Sequence, residues 1–376
     1  MRKVMSLSNF LTEYVERNDK NQYVPVAVGR YGIRKREDIY SKELAKDYSK
    51  NKLIFKDTLT VGMGSVQMDI GVLVEQEIYS VSPAYHTYRI NGINSSYLKY
   101  CLECRNMDMF SRYVKRGSRQ GKSIDLKRWL TYEIPVYSEG EQQEIVERID
   151  FLDGLIANIE QEIELIDNLV KSRFVEMFGD PEAGTSKYET ERLGNLSNKI
   201  SDGVHAKPIY TETGRPFLSV VNINKGIVDF TDCKYVSEEA YQKMIKSTYP
   251  EKGDVLYTKV GATYGIPAYI DTDKEFCLYV SVCLIKPRHE RINSRFLSIQ
   301  MGMPSIKHQA DARIKGIGVP DLHLNQISEF DIICPPREMQ DAFVNFVQQT
   351  DKSKHCVKND LLRCLQKQVL SKSYRR

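Results

Sequence analysis

The chain repeats itself once, and a duplicated plan leaves few folds open. Tyr132-Glu133-Ile134, upstream of Gln142 and Val146, is answered about 198 residues later by Phe330-Asp331-Ile332, upstream of Gln340 and Val344. Asp57-Thr58-Leu59 is echoed by Asp254-Val255-Leu256, and Ile93-Asn94-Ser95-Ser96-Tyr97-Leu98 by Ile292-Asn293-Ser294-Arg295-Phe296-Leu297. With a small gap, Ser123-Ile124-Asp125-Leu126 matches Val319-Pro320-Asp321-Leu322. Any one match is noise. A common order at a near-constant offset marks a repeated supersecondary plan, here globule, helix, globule, helix. The length of 376 residues suits about two domains. We divide it into globules at 1–138 and 180–336, with helical spacers at 139–179 and 337–376.

The first spacer is the strongest local signal. Ser138 and Glu141 have capping-box spacing, which predicts a helix from near Glu139. Ile145, Ile149, Leu152, Ile156, Ile159, Ile163, Ile166 and Val170 then alternate steps of four and three, a seam that needs a partner helix. Gly179-Asp180-Pro181 ends it. The second spacer follows Pro335-Pro336 and carries a weaker seam, Phe343, Val347, Thr350, Lys354, Val357, Leu361, Cys364 and Gln368. Because the second globule joins the end of one helix to the start of the other, the pair is expected to be antiparallel. Roughly 35 helical residues at about 1.5 Å each make a spacer of about 50 Å.

The globules read as β-rich. Val24–Val28, Val72–Glu75, Phe217–Ile223, Val255–Thr258 and Leu278–Ile285 are strand-like, with short helices at Ser95–Glu103 and Ser294–Met301. The expected class is α+β: two mixed, β-rich globules separated by a pair of long antiparallel coiled-coil helices, related by a pseudo-twofold repeat.

Net charge is +4, but its distribution is uneven. Residues 141–182 carry −9 and residues 338–376 carry +4, leaving +9 on the remainder. Basic globules beside an acidic spacer suit a nucleic-acid partner. No apolar run is long enough to span a membrane, no signal-peptide core follows the start, and a cytoplasmic protein is expected. Cys101 and Cys104 form a lone C-x-x-C pair with no second pair to complete a zinc site.

Catalytic signatures do not emerge. The chain holds no G-x-x-x-x-G-K-[ST] loop for ATP. Ser82-Pro83-Ala84-Tyr85 is the nearest string to an amino-methyltransferase motif and lacks its polar first residue and second proline. Gly62-Met63-Gly64 and Gly316-Ile317-Gly318 read as turns, and Asp254 precedes Lys259 without the acidic residue of a metal-dependent nuclease. We therefore expect a non-catalytic chain without cofactor or metal.

Positive signals lie in predicted loops. Arg112–Arg128 holds seven Lys/Arg against one Asp. Within it Lys115, Arg116, Ser118, Arg119, Gln120 and Lys122 can donate to phosphates or guanine edges. Its counterpart in the repeat, Lys307–Gly318, offers Lys307, Arg313 and Lys315. Arg30, Arg34 and Lys35 flank Tyr31 in a basic loop. His205 and Lys207, and Lys259, Thr263 and Tyr264, lie in glycine-containing polar loops. These are the candidate DNA-binding residues.

The strings IPVYSEGEQQEIVERIDFLDGLIANIEQEIELIDNLVKSRFVEMF and IICPPREMQDAFVNFV resemble the two conserved regions of type I restriction–modification specificity subunits. GDVLYTKVGATYGIPAYI is similar to a stretch of that family's target recognition domains. This chain departs from the family pattern at Ser138-Glu139, at Met339-Gln340 and in the polar stretch Asp351–His355, where looser helix pairing is expected. The resemblance implies that each globule reads one half of a split double-stranded DNA site and that the helices set the gap. It further implies two modification subunits using S-adenosylmethionine and restriction subunits using ATP and magnesium. The assembled enzyme would be an adenine-specific DNA methyltransferase and site-specific deoxyribonuclease. A coiled-coil protein scaffold and a divergent nuclease or methyltransferase are the other classes this sequence leaves open.

Overall fold

The computed structural model describes residues 3–40, 45, 47–117, 121–314 and 318–373, with side chains for all of these except 116, 117 and 358–373. It divides into two compact units, Met1–Ile156 and Ala157–Arg376. No described helix is long and apolar enough to cross a membrane.

The first unit opens with β1 (Lys3–Ser6) and β2 (Leu11–Glu13), followed by the hairpin β3 (Val26–Gly29) and β4 (Gly32–Lys35). Then come β5 (Lys52–Ile54), β6 (Thr58–Met63), β7 (Met68–Leu73), β8 (Tyr79–Val81) and β9 (His86–Ile90). Helices α1 (Ser95–Glu103) and α2 (Asn106–Tyr113) lead to a second hairpin, β10 (Val114–Gly117) and β11 (Gly121–Ile124). Short α3 (Leu126–Trp129) and β12 (Glu133–Val136) precede α4 (Glu139–Phe178). The central sheet is antiparallel in the order β2-β9-β6-β7. Leu59, Val61, Ile70 and Tyr88 of the sheet bury against Leu98, Leu102, Met109 and the chain's lone Trp129.

The second unit repeats this plan. It contains β13 (Thr190–Arg192), β14 (Ser197–Asp202), β15 (Arg215–Leu218), β16 (Lys234–Val236) and α5 (Glu238–Met244). After β17 (Val255–Thr258), β18 (Pro267–Tyr269), β19 (Cys277–Leu278) and β20 (Val282–Pro287) come α6 (Ser294–Met301), α7 (Pro304–Arg313) and α8 (Leu324–Ser328). Strand β21 (Asp331–Ile333) and α9 (Arg337–Ser373) complete it. Its central sheet, β14-β20-β17-β18, reproduces the first in order and direction. The outer pair β1–β12 likewise has its counterpart in β13–β21. Two predicted strands are interrupted: Phe217–Ile223 turns into a short 3-10 segment at Val220–Asn222, and Leu278–Ile285 breaks between β19 and β20.

The repeated Ile-Asn-Ser and Gln positions form one device used twice. Asn94 caps α1 by accepting from the Tyr97 N–H, 2.9 Å, while its own N–H donates to Gln142 Oε1, 3.0 Å. Gln142 Nε2 returns to the Tyr137 carbonyl, 2.8 Å. In the second unit Asn293 caps α6, its N–H donates to Gln340 Oε1 at 2.7 Å, and Gln340 Nε2 donates to the Pro335 carbonyl at 2.7 Å. Each globule is thereby pinned to the first turn of its long helix. Gln340 is fully buried. Gln340→Ala leaves the Asn293 N–H and the Pro335 carbonyl unpartnered and is expected to destabilise the second unit by about 1–3 kcal/mol. A lowered denaturant midpoint at unchanged slope is the measurement that checks this.

Helix α4 starts at Glu139, with the Glu141 carboxylate accepting from the Ser138 N–H, 3.0 Å, as the spacing predicts. Every residue of its predicted seam is at least partly buried, as are Phe343, Val347, Thr350, Lys354 and Val357 of α9. Within the second unit the two helices run antiparallel. Phe178 meets Phe343 at 5.5 Å between ring centroids, the Arg173 guanidinium lies 5.9 Å from the Phe346 ring, and Lys354 Nζ reaches Asp167 at 2.5 Å. The polar stretch of α9 thus places its seam lysine on an acid of α4. Leu361, Cys364 and Gln368 carry side chains outside those described.

Candidate nucleic-acid interface

In the first unit the β3–β4 and β10–β11 hairpins both lie against the β6–β7 hairpin. Hairpin β3–β4 lies on β7 because Gly71 has no side chain. A Cβ there would meet Ile33 at 2.6 Å and Val28 at 2.9 Å. The hairpin tip presents Tyr31, 70% exposed, with the Arg30 and Arg34 guanidiniums 5.8 and 5.2 Å from its ring centroid. Among the described residues neither arginine has a carboxylate within ion-pairing distance, and Lys35 has only a loose contact with Glu37 at 3.9 Å. A cation-flanked exposed aromatic can stack on a base or sugar while its arginines meet phosphates.

The second hairpin corrects the expectation of a loop at Arg112–Arg128. Arg112 ends α2, β10 and β11 pair from Val114↔Ile124 to Gly117↔Gly121, and Leu126–Trp129 is helical. Lys122 donates to the Ser65 carbonyl at 2.6 Å and sits 5.4 Å from the Phe110 ring, tying this hairpin to the β6–β7 turn. Lys115 pairs with Asp125 at 2.7 Å but stays 63% exposed. Its ammonium, together with the Arg128 N–H, holds the Asp125 carboxyl below its ordinary value. Arg116 is placed opposite Lys122, while Ser118, Arg119 and Gln120 lie outside the described residues.

The candidates of the second unit are differently engaged. Lys307–Gly318 is also not a loop at its start: Lys307 and Arg313 belong to α7. Lys307 pairs with Asp311 and covers the Tyr264 ring at 3.7 Å, and Tyr264 Oη donates to the same carboxylate. The Lys307 and Tyr264 hydrogen bonds keep Asp311 below its ordinary value. Arg313 donates to the carbonyls of Gln309 and Glu329, closing the end of α7. Thr263 lends its carbonyl to the Thr258 hydroxyl, 2.7 Å. Lys259 is no free cation: only 6% exposed, it lies between Asp202 at 3.5 Å and Asp321 at 3.4 Å. That arrangement ties β14 to the segment before α8, so its charge is already answered. His205, 77% exposed, approaches the same Asp202 at 3.4 Å. Lys315 lies outside the described residues.

The candidate Lys207 belongs to a patch around Tyr210 whose other members sequence reasoning missed. Lys234, brought by β16, lies 4.3 Å from that ring, Lys207 lies 6.0 Å away, and Ile209 is 88% exposed. No local spacing signals it, because Lys234 arrives through strand pairing. Among the described residues no group of three or more His, Cys, Asp or Glu is placed to hold a metal ion.

Arg34→Ala and Lys122→Ala are each expected to weaken duplex binding similarly for all sequences. Each should flatten the log K against log salt slope by about one unit. Fluorescence anisotropy across a salt series checks this, and an unchanged slope identifies solvated surface.

A family model described as the type I restriction modification DNA specificity domain matches residues 9–168 and 186–363, one match per repeat. The chain is similar to the type I restriction enzyme MjaIX specificity subunit of Methanocaldococcus jannaschii, 24% identical over 284 residues. The match takes in 69% of this chain and 62% of that relative's length. Among solved structures, the S subunit of a type I restriction–modification system from M. genitalium aligns with a TM-score of 0.51 at 15% identity, over 96% of this chain and 92% of the other. A chain from a study of type I R-M complex assembly and conformational transition aligns at 0.51 and 16% identity, over 100% and 97%. At these identities the two structures share the fold.

Proposed function

The chain belongs to the type I restriction modification DNA specificity family, and from that premise we propose that it reads a bipartite double-stranded DNA target and performs no chemistry itself. The observation that supports this best is the gathering of two basic hairpins around the β6–β7 turn, with Tyr31, Arg30 and Arg34 exposed at one tip. Phosphate contacts from such cations position a protein, and base-edge contacts then specify the site. Each repeat reads one half-site, and the paired helices set the unread gap.

Partner subunits supply the reactions. Two modification subunits methylate adenine with S-adenosylmethionine, and restriction subunits cleave DNA with ATP and magnesium, all in the cytoplasm. Exposed apolar residues on α4, Phe151, Leu165, Leu169 and Val175, suit a helix that docks further protein. The test is a methylome comparison of the host with and without this chain, joined to duplex binding by the assembled complex. A gapped motif that vanishes with the chain, and an affinity falling steeply with salt, are expected. A salt-independent interaction with protein alone would favour the scaffold class. Turnover by the purified chain with S-adenosylmethionine, ATP and magnesium would place chemistry here instead.

A further inference from the structure

Between the gathered turns of the first unit lies an acid with no assigned purpose. Asp69 stands on β7 opposite Gly62 of β6. Its Oδ1 is 2.6 Å from where a Cβ at Gly64 would sit and 4.0 Å from one at Gly29. Gly62 is covered by the Tyr85 ring, 2.3 Å from a Cβ built there, and the Tyr85 hydroxyl is held by the Val28 carbonyl at 2.9 Å. The carboxylate therefore has glycine backbone on either side and an aromatic wall fixed nearby. Among the described residues no hydrogen bond or ion pair engages it, and partial burial raises its carboxyl above the ordinary value. The carboxylate is only half-buried and stays open to solvent, and no partner among the described residues accounts for its position.

Its surroundings say what it could meet. Arg30 follows Gly29 in the hairpin tip, and Lys122 is bonded to Ser65 next to Gly64. Those cations draw phosphate, whereas a carboxylate repels it. An ionised carboxylate only accepts hydrogen bonds, so its complement is an N–H donor. On the base edges of the major groove the donors are the N4 amino group of cytosine and the N6 amino group of adenine.

We propose that Asp69 reads one base of the half-site facing the first unit by accepting a hydrogen bond from an exocyclic amino group. This deepens the DNA-reading function proposed above and rests on it. Asp69 sets specificity there, and the neighbouring cations set affinity.

The test maps methylation motifs in cells whose complex carries the parent chain, Asp69→Asn, Asp69→Ala, or no chain. The Asn variant keeps the shape of the side chain and removes its charge. Asp69→Ala should relax one base pair in one half of the motif and leave the other half unchanged. Asp69→Asn, whose amide oxygen still accepts and whose amide nitrogen now donates, should weaken or switch that same base pair. The parent complex should then lose roughly 5- to 150-fold in affinity for duplexes lacking that amino group, and Asp69→Ala should be indifferent to the change. Purine in place of adenine, or 2-pyrimidinone in place of cytosine, supplies those duplexes, and the one that matters identifies the base. Motifs identical to the parent in both variants overturn the proposal. So does loss of the whole motif in Asp69→Ala with the parent motif intact in Asp69→Asn, which marks a structural carboxylate. A methylome unaffected by removing the chain overturns the DNA-reading function itself, and Asp69's role with it.

Discussion

Adding seven residues to each long helix is expected to widen the unread gap of the DNA target by about three base pairs while both half-sites stay unchanged. Seven helical residues add about 10 Å, and B-DNA rises about 3.4 Å per base pair. A full heptad returns the seam to the same face, so the buried or half-buried Ile159, Ile163, Ile166 and Val170 stay on one face of α4 and the pairing is expected to survive. Insertion of two or five residues, which rotates the seam by about 200° or about 140°, would instead turn it away and is expected to destabilise the pair. The opposed contacts Phe178–Phe343 and Asp167–Lys354 require that both helices be lengthened together. Methylome mapping of the insertion variant reads the result directly. A correctly folded variant with an unchanged gap removes the helices from the role of spacer.

Phe343→Ala is expected to destabilise the second unit by about 3–5 kcal/mol, a large share of the roughly 5–15 kcal/mol that holds a domain folded. Phe343 is fully buried, with Phe174 and Phe178 of α4 each 5.5 Å away and Phe296 of α6 at 6.1 Å. Truncation opens a cavity where three helices meet, and that junction cannot collapse without moving α9. Thermal or denaturant unfolding should show one transition markedly lowered. Phe343→Leu, which retains most of the apolar volume, should cost much less. Equal effects of the two variants would show that the ring packing contributes little.

The candidate site was legible in kind more than in detail. Clusters of Lys, Arg and Gly at 30–36 and 112–128 pointed to the two hairpins that meet at the β6–β7 turn. Lys259 was indistinguishable in sequence from an exposed loop lysine. Its acids, Asp202 and Asp321, lie 57 residues before it and 62 after, and only the sheet brings them near. Lys307 and Arg313 looked like loop cations because Gly316 and Gly318 suggested a turn. Pro304 instead begins a helix, whose side chains are answered by Asp311 and by two carbonyls. Asp69 carried no signal at all. The room around its carboxylate is left by Gly29 and Gly64, which lie far from one another in sequence.

What the sequence by itself determined is whatever is local or periodic. Helix starts and ends, the a/d seam and the duplicated order of elements are carried by neighbours a few residues apart, and a repeat is visible as identity at a fixed offset. The structure accordingly places α1, α6 and β17 at the bounds read from sequence, Ser95–Glu103, Ser294–Met301 and Val255–Thr258. What only the tertiary structure decided is which charges are already answered and which remain free. That depends on contacts between residues tens of positions apart, where the electrostatic energy of a side chain is set by its burial and its neighbours rather than by its identity. Arg34 and Lys259 are both basic residues of a basic globule, yet one faces solvent beside Tyr31 and the other lies buried between two aspartates.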